Sequence, residues 1–336
     1  MMAPGLSVLL PVHNGGVTVA RAMDSIRAQT FKDWELLVIN DRSTDETASV
    51  VADACAADRR IRLLHTESCG LVSALNRGLA EARAPLIARM DADDWAHPDR
   101  LARQCAYLDA HPEIGLVSCR VRHVGGEGGY RQYVDWTNTL LTPEAIRLAR
   151  FIESPFAHPS VCFRRVWAET LGDYREGSFP EDYEMWLRWL EGGVRMAKLP
   201  EVLLDWYDSG GRLSRTDPRY DPEKIYRIKG DYLCRWLRRT CSPETGIWLW
   251  GSGRITRRRF RALESLGEQF RGYVDIDQAK VGGRAADRCV IHVDAIPVPG
   301  KAFFVLGVGN RGARRRIEDS LRERRYAAGR DYIAAA

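Results

Sequence analysis

The sequence predicts an α/β protein in two parts, a larger one built on a mostly parallel sheet with helices on both faces and a smaller α/β one. Three observations support this class. In the first part, short β-branched runs alternate with helical patterns, as in parallel sheets covered by helices. The run from Trp34 to Asn40 is almost continuously apolar, as expected for a strand buried on both faces. A second strand–helix–strand pattern begins at Ile247.

The apolar periodicity gives the first part a βαβαβαβ order. We expect strands over 6–12, 34–40, 61–64 and 86–90, and helices over 17–29, 45–57 and 71–82. Farther along, the pattern predicts a helix over 101–110, a strand over 116–121, a glycine-rich turn or hairpin over 124–133 and a helix over 181–191. In the second part we expect strands over 247–250, 270–276 and 303–308, and helices over 255–266 and 313–324.

Changes in composition mark the boundaries between the parts. A polar passage rich in Gly, Arg and Pro, 208–221, follows the last elements of the first part. Asp221 and Pro222 then signal the start of a basic helix that reaches about Arg239. We therefore expect one domain over 1–215, a connector helix within 216–245 and a second domain over 246–336.

Composition restricts the class of protein. A chain of 336 residues fits two domains, and 45% hydrophobic with 28% charged residues is typical of a soluble globular protein. No apolar stretch approaches the roughly 18 residues that span a bilayer. The net charge of +5 is spread along the chain, so it suits anionic substrates or an anionic membrane surface, and we expect no nucleic-acid partner.

The N-terminal segment and the cysteines indicate a compartment. The chain begins without a basic leader and an apolar signal region, so we expect a cytoplasmic protein. Its cysteines show neither a CxxC pair nor zinc spacing, so we expect them to be reduced and mostly buried. They are Cys55, Cys69, Cys105, Cys119, Cys162, Cys234, Cys241 and Cys289.

Two carboxylates stand two residues apart, Asp91 and Asp93, just after an apolar run that ends at Met90. Mg²⁺ and Mn²⁺ favour oxygen ligands and often take only one or two carboxylates from the protein, leaving other positions to phosphate oxygens and water. The segment therefore predicts a divalent cation, Mn²⁺ or Mg²⁺, held against the phosphates of a nucleotide.

Polar residues follow the other predicted strands of the first part. Pro11, His13 and Asn14 close the first strand, and Asp41 follows the second. In open parallel sheets, ligands bind outside the carboxyl ends of the strands. One crevice is therefore expected to hold a base and a ribose near these residues and a metal-bound diphosphate near the acidic segment.

Taken in order, several segments resemble family 2 glycosyltransferases of the GT-A fold. They are the segment Pro11-Val12-His13-Asn14-Gly15, the segment 25–31, the stretch 34–45 and the acidic segment. The likeness covers about residues 5–215 and implies transfer of a sugar from a nucleotide-diphosphate donor to a glycan or lipid-linked acceptor. It also implies that Asp41 contacts the nucleobase, that Asp91 lies near the ribose and that Asp93 binds the metal.

Some of these residues have an alternative role. Turn and helix-capping chemistry also explains Asp41 and Asp45, but the ordered segments favour the nucleotide for Asp41 alone. Asn76, in a further matching segment near the nucleotide, is equally suited to a polar helix surface. His13 stands where the family often has tyrosine, and an imidazole can also stack on a base.

Inverting transfer needs a base that removes the proton of the acceptor hydroxyl. Asp182, preceded by Glu181, resembles the Glu-Asp pair that the family carries at the start of a helix, which implies Asp182 as the base and Glu181 as its reserve. An acid at this position can equally cap the helix. The resemblance extends to His158 and Trp186 on the acceptor side, although a histidine before proline is also a common turn residue.

One segment departs from the family. Relatives often carry Arg and His after the sequence matching Leu203-Leu204, and that histidine can help to hold the metal or phosphate. Here the stretch reads Asp205-Trp206-Tyr207-Asp208, so the chain either lacks that ligand or uses Asp208 instead.

The second domain carries a glycine-rich turn after its first strand. Gly251 and Gly253, with Asp275 at the end of the next strand, resemble a Rossmann dinucleotide fingerprint in which Thr256 replaces the third glycine. The pattern predicts a C-terminal nucleotide site in a Rossmann-like domain. A degenerate Rossmann-like domain used for packing or assembly is the alternative.

The basic helix over 222–239 interleaves arginines and lysines with aromatic residues. Such a helix suits peripheral contact with an anionic membrane, where a lipid-linked acceptor is found. A connector whose apolar face packs between domains is the other interpretation.

Together these patterns predict an inverting, metal-dependent glycosyltransferase acting on a cell-surface glycan. A nucleotidyltransferase is disfavoured, since Asn14-Gly15-Gly16 is followed by no lysine before Lys32. A non-catalytic protein that binds nucleotide sugars or acts as a scaffold remains the alternative.

Overall fold

Two sheets organise the chain in the computed structural model, which describes residues 3–66, 70–125, 129–208 and 213–336. Contacts between residues divide the chain into two units. The first contains 1–146, 155–177 and 181–217, and the second contains 147–154, 178–180 and 218–336. The α/β class with a second sheet is therefore confirmed.

Within the described residues, eight strands form the first sheet in the spatial order β3-β2-β1-β4-β7-β6-β8-β5. They are β1 (Leu6–Val12), β2 (Trp34–Asn40), β3 (Ile61–His65), β4 (Leu86–Arg89), β5 (Trp95–Ala96), β6 (Ile114–Val124), β7 (Cys162–Arg164) and β8 (Arg195–Tyr207). Parallel pairing joins β1 to β2 and β4, and β2 to β3. Because these four strands are parallel, their carboxyl ends share one edge of the sheet, where the predicted site residues follow them.

Helices cover this sheet. They are α1 (Gly16–Arg27), α2 (Thr47–Ala57), α3 (Leu71–Glu81), α4 (Arg100–Ala110), α5 (Gly129–Thr137), α6 (Pro143–Ala149), α7 (Arg165–Leu171), α8 (Glu181–Glu191) and α9 (Leu213–Thr216). The predicted face of α1 is buried, with Val19, Met23 and Ile26 in the core. Helix α3 lies very close to the sheet, since a β-carbon at Gly78 would stand 3.0 Å from Ile39 and 3.1 Å from Leu9.

The second unit contains a six-stranded sheet in the order β11-β12-β10-β9-β13-β14 among its described residues. Its strands are β9 (Gly246–Trp250), β10 (Phe270–Asp275), β11 (Arg284–Ala285), β12 (Arg288–His292), β13 (Ala302–Leu306) and β14 (Tyr332–Ala334), and its helices are α10 (Pro222–Thr240), α11 (Arg254–Arg259) and α12 (Arg311–Glu323). Strand β9 is flanked by β10 and β13, both parallel to it. The chain therefore reverses its direction of winding at β9, as in doubly wound folds.

Two predicted elements are wrong. The turn or hairpin over 124–133 is replaced by the end of β6 and the start of α5, with 126–128 outside the described residues. The helix over 255–266 ends at Arg259 as α11 and continues as a 3₁₀ segment over Arg261–Gln269, which contains Gly267 at φ 58° and ψ −130°. The α-helix ends because the backbone of Phe260, at φ −102° and ψ 22°, departs from helical values.

The cysteines of the described residues form no disulfide, and four of the seven are buried. The eighth cysteine, Cys69, lies outside the described residues. None of the helices in the described ranges is long and apolar enough to cross a bilayer.

Candidate functional site

The ends of β1 and β2 form the first part of the site. The Nδ1 atom of His13 lies 2.6 Å from the carbonyl oxygen of Asp41. Asn14, at φ 50°, accepts a hydrogen bond from the amide of Thr44 at 2.8 Å, and its own amide donates to the Ser43 hydroxyl at 2.9 Å. Asparagine tolerates this left-handed conformation better than most residues. The side chains of His13 and Asn14 are exposed, so both are available to a ligand, whereas Pro11 is buried within β1.

The carboxylate of Asp41 is nearly buried, with 7% exposure. One oxygen accepts a hydrogen bond from the Thr66 hydroxyl and the other from the Gly70 amide, each at 2.9 Å. Asp41 therefore joins the end of β2 to the start of α3. Asp45 accepts hydrogen bonds from the amides of Gly16 and Thr47, at 3.0 and 3.1 Å, which is the capping role that the sequence favoured for it.

Three acids come together after β4. Asp91, Asp93 and Asp94 offer ligand atoms within 4.8 Å of one another, the arrangement among the described residues that suits a metal ion. Asp94 is fully buried and accepts a hydrogen bond from the Tyr207 amide at 2.9 Å, while Asp91 and Asp93 are half-buried. A set of carboxylate oxygens fits a hard divalent cation.

Arginines hold the acidic segment in place. The buried guanidinium of Arg89 forms an ion pair with Asp91. Arg21 donates to the backbone carbonyl of Asp93 at 2.5 Å, and its guanidinium lies 4.0 Å from the centroid of the Tyr207 ring. The backbone of Asp93 is therefore held by Arg21 of α1, which also contacts Tyr207 at the end of β8.

Two adjacent acids begin α8. Both are buried, Glu181 with 1% and Asp182 with 9% of its surface exposed. Burial raises the pKa of Asp182, and the neighbouring Glu181 carboxylate raises it further. The amide of Tyr183 and the charge of Arg89 act in the opposite direction. A carboxyl group with a raised pKa is suited to exchanging a proton near neutral pH.

A buried histidine and tyrosine support these acids. His158 lies in a 3₁₀ turn, His158–Ser160, and its Nε2 atom is 2.8 Å from the Tyr174 hydroxyl. Its Nδ1 atom is 3.8 Å from Glu181 Oε1. Burial lowers the pKa of His158 well below its usual value, and the nearby charge of Arg89 lowers it further, so the imidazole is neutral. Burial raises the pKa of Tyr174, which keeps its hydroxyl protonated.

Asn76 binds the backbone of Tyr174 through both ends of its amide. Its Nδ2 atom donates to the Tyr174 carbonyl at 2.8 Å, and its Oδ1 atom accepts from the Tyr174 amide at 3.1 Å. The amide group of Asn76 is therefore bound to another segment of the protein, which a merely solvated residue on a helix surface would not be. Because it fixes Tyr174, it connects α3 on the donor side with His158 beside α8. The sequence did not single out Tyr174, since its partners lie 16 and 98 residues away.

The family match lies in the first part of the chain. The family model for glycosyl transferase family 2 matches residues 7–172. The amylovoran biosynthesis glycosyltransferase AmsE of Erwinia amylovora is 30% identical over 201 residues, which span 59% of this chain and 74% of AmsE.

The chain belongs to glycosyltransferase family 2. It is therefore a glycosyltransferase. TarS of S. aureus, solved in complex with UDP-GlcNAc, superposes with a TM-score of 0.57 at 18% identity over 70% of this chain and 67% of that one. The mannosyltransferase PcManGT of Pyrobaculum calidifontis, solved with GDP-Man and Mn²⁺, gives a TM-score of 0.55 at 22% identity over 70% and 65% of the chains. These neighbours confirm the GT-A fold of the first unit.

The Trp186 ring of this glycosyltransferase is completely buried. It packs edge-on against Phe156 and His158, with centroid distances of 5.9 and 6.0 Å, and against Trp189 at 5.7 Å. A ring with no exposed surface reaches an acceptor only indirectly, through the position of His158.

Helix α8 is fastened by a buried ion pair. Arg188 binds Glu184 one turn before it, with an Nη2–Oε2 distance of 3.0 Å, and both side chains are less than a tenth exposed. The same guanidinium donates to the carbonyls of Leu171, Gly172 and Asp173 at 2.5 to 2.7 Å. The pair therefore ties the first turns of α8, which carry Asp182, to the turn that precedes Tyr174.

Arg188→Met is expected to destabilise the enzyme by about 3–5 kcal/mol, because it removes the buried cation beside the Glu184 carboxylate, which keeps the more distant Arg175 at 3.5 Å, and three hydrogen bonds to backbone carbonyls. The matched control is Arg77→Met, which breaks an ion pair with Glu81 at the same helical spacing but with 48% and 32% exposure. That change is expected to cost less than about 0.5 kcal/mol. Urea unfolding of both variants measures the difference, and equal costs would contradict the structural role of Arg188.

Asp208 is bound within the protein. Its carboxylate is fully buried, and its Oδ2 atom lies 3.2 Å from His123 Nε2 and 2.6 Å from Arg215 Nη2. It is not one of the acids that come together after β4. These contacts favour the alternative in which the chain lacks the ligand that the histidine of the family provides.

The glycine turn of the second unit is closed by its own acid. Gly251, at φ 109°, follows β9, and the amide of Ser252 donates to Asp275 Oδ2 at 3.1 Å. The Ser252 hydroxyl also donates to Asp275, and Lys280 lies 3.5 Å from the same oxygen. The carboxylate that the fingerprint assigns to a ribose is thus bound within the protein. Gly253, the second glycine, has an extended backbone at the start of the six-residue α11.

Proposed function

We propose that this glycosyltransferase moves a sugar, with inversion, from a nucleotide-diphosphate donor to a hydroxyl of a glycan or lipid-linked acceptor. The observation that carries the proposal is the combination of Asp182, an acid at the start of α8 whose pKa is raised, with a cluster of acids after β4 that suits a metal-bound diphosphate. Synthesis of a cell-surface polysaccharide is the proposed setting, in line with the biosynthetic name of AmsE.

The donor is assigned to the crevice at the carboxyl ends of β1, β2 and β4. Exposed His13 and Asn14 are placed to meet the base, with Asp41 behind them and Pro11 shaping the strand end. Asp91 is assigned to the ribose, and Asn76 holds the wall of the crevice through Tyr174. The UDP-GlcNAc and GDP-Man complexes of the two structural neighbours support a nucleotide sugar as the ligand class.

A divalent cation is assigned to Asp93. The three clustered carboxylates fit such an ion, and PcManGT was solved with Mn²⁺. Bound there, the cation would stabilise negative charge on the departing diphosphate. Arg21 keeps the Asp93 backbone in place through its carbonyl.

Asp182 is assigned the proton transfer. The acceptor oxygen bonds to the anomeric carbon as the bond from that carbon to the diphosphate breaks, and the hydroxyl proton passes to the Asp182 carboxylate. Attack from the side opposite the leaving group inverts the anomeric configuration. Neutral His158 and protonated Tyr174 hold Glu181 and the surroundings of this base without competing for the proton.

A thermal-shift screen tests the donor assignment. UDP, GDP, CDP and dTDP sugars are added with and without Mn²⁺ to the wild type and to Asp93→Asn. We expect one base class to raise the Tm of the wild type, more with Mn²⁺, because a ligand at roughly one hundred times its Kd stabilises the folded state by about 2.7 kcal/mol. The Mn²⁺-dependent part should vanish in Asp93→Asn. No shift with any sugar would contradict the proposal.

Enzyme and non-catalytic binder differ in turnover. A protein that only binds nucleotide sugars would show the same thermal shifts but would release no free nucleotide. Slow hydrolysis of the selected donor by the wild type, lost in Asp93→Asn, therefore supports the enzyme over the scaffold.

Two further proposals concern the second unit: a nucleotide at the glycine turn after β9 and membrane contact through α10. A nucleotide at Gly251, Gly253 and Asp275 would have to displace Ser252 from Asp275, and calorimetry giving two donor sites per chain would support it. Helix α10 buries Tyr232 and Leu233, and its Trp236 ring packs edge-on against Phe303 with a centroid distance of 5.5 Å, which favours packing within the second unit. Co-sedimentation with anionic vesicles at low salt would be needed to support peripheral membrane contact of a cytoplasmic protein.

A further inference from the structure

We infer that Arg89 is a positioning residue that orients the donor-side carboxylate of Asp91 and that its fixed positive charge also acts on the proposed base, Asp182. The inference rests on the proposed function, since it assigns a role within the same site. Nothing in the sequence patterns singled out Arg89.

The backbone of Arg89 is fixed on both sides. It is the last residue of β4, and its amide donates to the Val161 carbonyl at 3.0 Å, just after the turn that carries His158. Its own carbonyl accepts a hydrogen bond from Arg100 Nη2 at 2.7 Å. A residue held in this way has little freedom to redirect its side chain.

The guanidinium lies behind the carboxylate that it pairs with. The Arg89 side chain is 4% exposed, whereas Asp91 is 25% exposed. Asp91 is thus held from the protein side and presents its remaining surface to the crevice.

The positive charge of Arg89 also influences the pKa of Asp182. The groups around Asp182 are Glu181 on its own helix, Arg89 at the end of β4, Tyr174 from the preceding loop and, next to Glu181, His158 from the 3₁₀ turn. Arg89 is the cation of this set, since His158 is neutral. Its charge lowers the pKa of Asp182 against burial and the Glu181 carboxylate, which raise that pKa.

Removing the charge should therefore have two separable effects. Without its partner, Asp91 loses its fixed orientation, and the KM for the donor rises. Without the positive charge, the pKa of Asp182 rises further, so the base becomes deprotonated only at higher pH. The acid limb of the pH profile of kcat then moves to higher pH.

The experiment compares Arg89→Met, Arg89→Lys and a control, Arg164→Met. Arg164 lies on the neighbouring β7, pairs with Leu86 at the opposite end of β4 and donates to the carbonyls of Ile114 and Leu108. Its loss reports the cost of removing an internal arginine away from the site. Circular dichroism gives the folded fraction of each variant, and the kinetics are measured on full-length protein with the donor selected by the screen.

For Arg89→Met we expect a donor KM about tenfold higher and an acid limb moved up by about one pH unit. Arg89→Lys should restore the limb, because the charge returns, but not the KM, because an ammonium group lacks the planar fork. Arg164→Met should change neither. An Arg89→Met profile and KM equal to those of Arg164→Met would overturn the inference. If Arg89→Met does not fold, an unchanged KM in Arg89→Lys would overturn it.

These outcomes are distinguishable from failure of the proposed function. If Asp182→Asn transfers sugar at the wild-type rate, the base assignment fails and the limb no longer reports on Asp182. If Asp182→Asn is inactive while the Arg89 variants behave like the control, only the role of Arg89 is wrong.

Discussion

Asp93→Asn is expected to remove sugar transfer and leave the fold intact. Asp93 belongs to the cluster of acids that suits a cation, and Arg21 holds its backbone carbonyl. The amide has the same shape but carries no charge, so cation affinity and charge stabilisation of the leaving diphosphate are lost together. Loss of one preorganised electrostatic contact of this type costs about 10²–10³ in kcat.

The assay for Asp93→Asn is initial-rate turnover across a Mn²⁺ titration. Asp24→Asn is the control, since Asp24 is an acid of the same chemistry on α1, 62% exposed and paired with the exposed Arg27 at 3.3 Å. It should retain the wild-type rate at every Mn²⁺ concentration. Full turnover by Asp93→Asn would contradict the metal assignment.

Asp182→Asn is expected to lower kcat by about 10²–10⁴-fold, the usual contribution of a general base. Donor binding should survive, because Asp182 belongs to α8 and not to the strand ends that are proposed to hold the nucleotide. The thermal shift with the selected donor and Mn²⁺ should therefore match that of the wild type while turnover disappears. Loss of both donor binding and turnover would indicate a structural acid instead.

The pH dependence of the wild-type rate also tests the assignment of Asp182 as the base. The pKa of Asp182 is raised in the folded enzyme, and the base is active only when deprotonated. Activity should therefore fall as the pH drops through a value above the range of an ordinary aspartate, about 3.9. Glu181→Gln removes the neighbouring carboxylate that raises this pKa, so its acid limb should move to lower pH. An unmoved limb would contradict the coupling of the two acids.

The sequence predicted the parts of the fold that local patterns determine. Strands β1 and β2 match their predicted bounds, because both are continuous apolar runs that end in polar residues. Helix α8 matches as well, since its apolar face repeats at helical spacing and acids occupy its first turn. Helix α5 was missed because glycines precede it, and turn residues outweighed its aromatic periodicity.

The site was predictable where parallel strands end and unpredictable where distant segments meet. Asp93 follows from its strand, as do His13 and Asn14 at the end of β1. Tyr174 is held from α3 by a residue 98 positions away, and Arg89 carried no signal because an arginine ending a strand suits many roles. The commitment of Asp208 to His123 likewise depends on pairing across β6 and β8.

The most direct test of the account is the anomeric configuration of the sugar first released from an α-linked donor. Proton NMR during slow donor hydrolysis by the wild type, with water in place of the acceptor, distinguishes the two anomers before they equilibrate. A single displacement assisted by Asp182 predicts the β-anomer first, and Asp182→Asn should release neither at a comparable rate. Initial release of the α-anomer would contradict inversion and, with it, the role of Asp182 as the base.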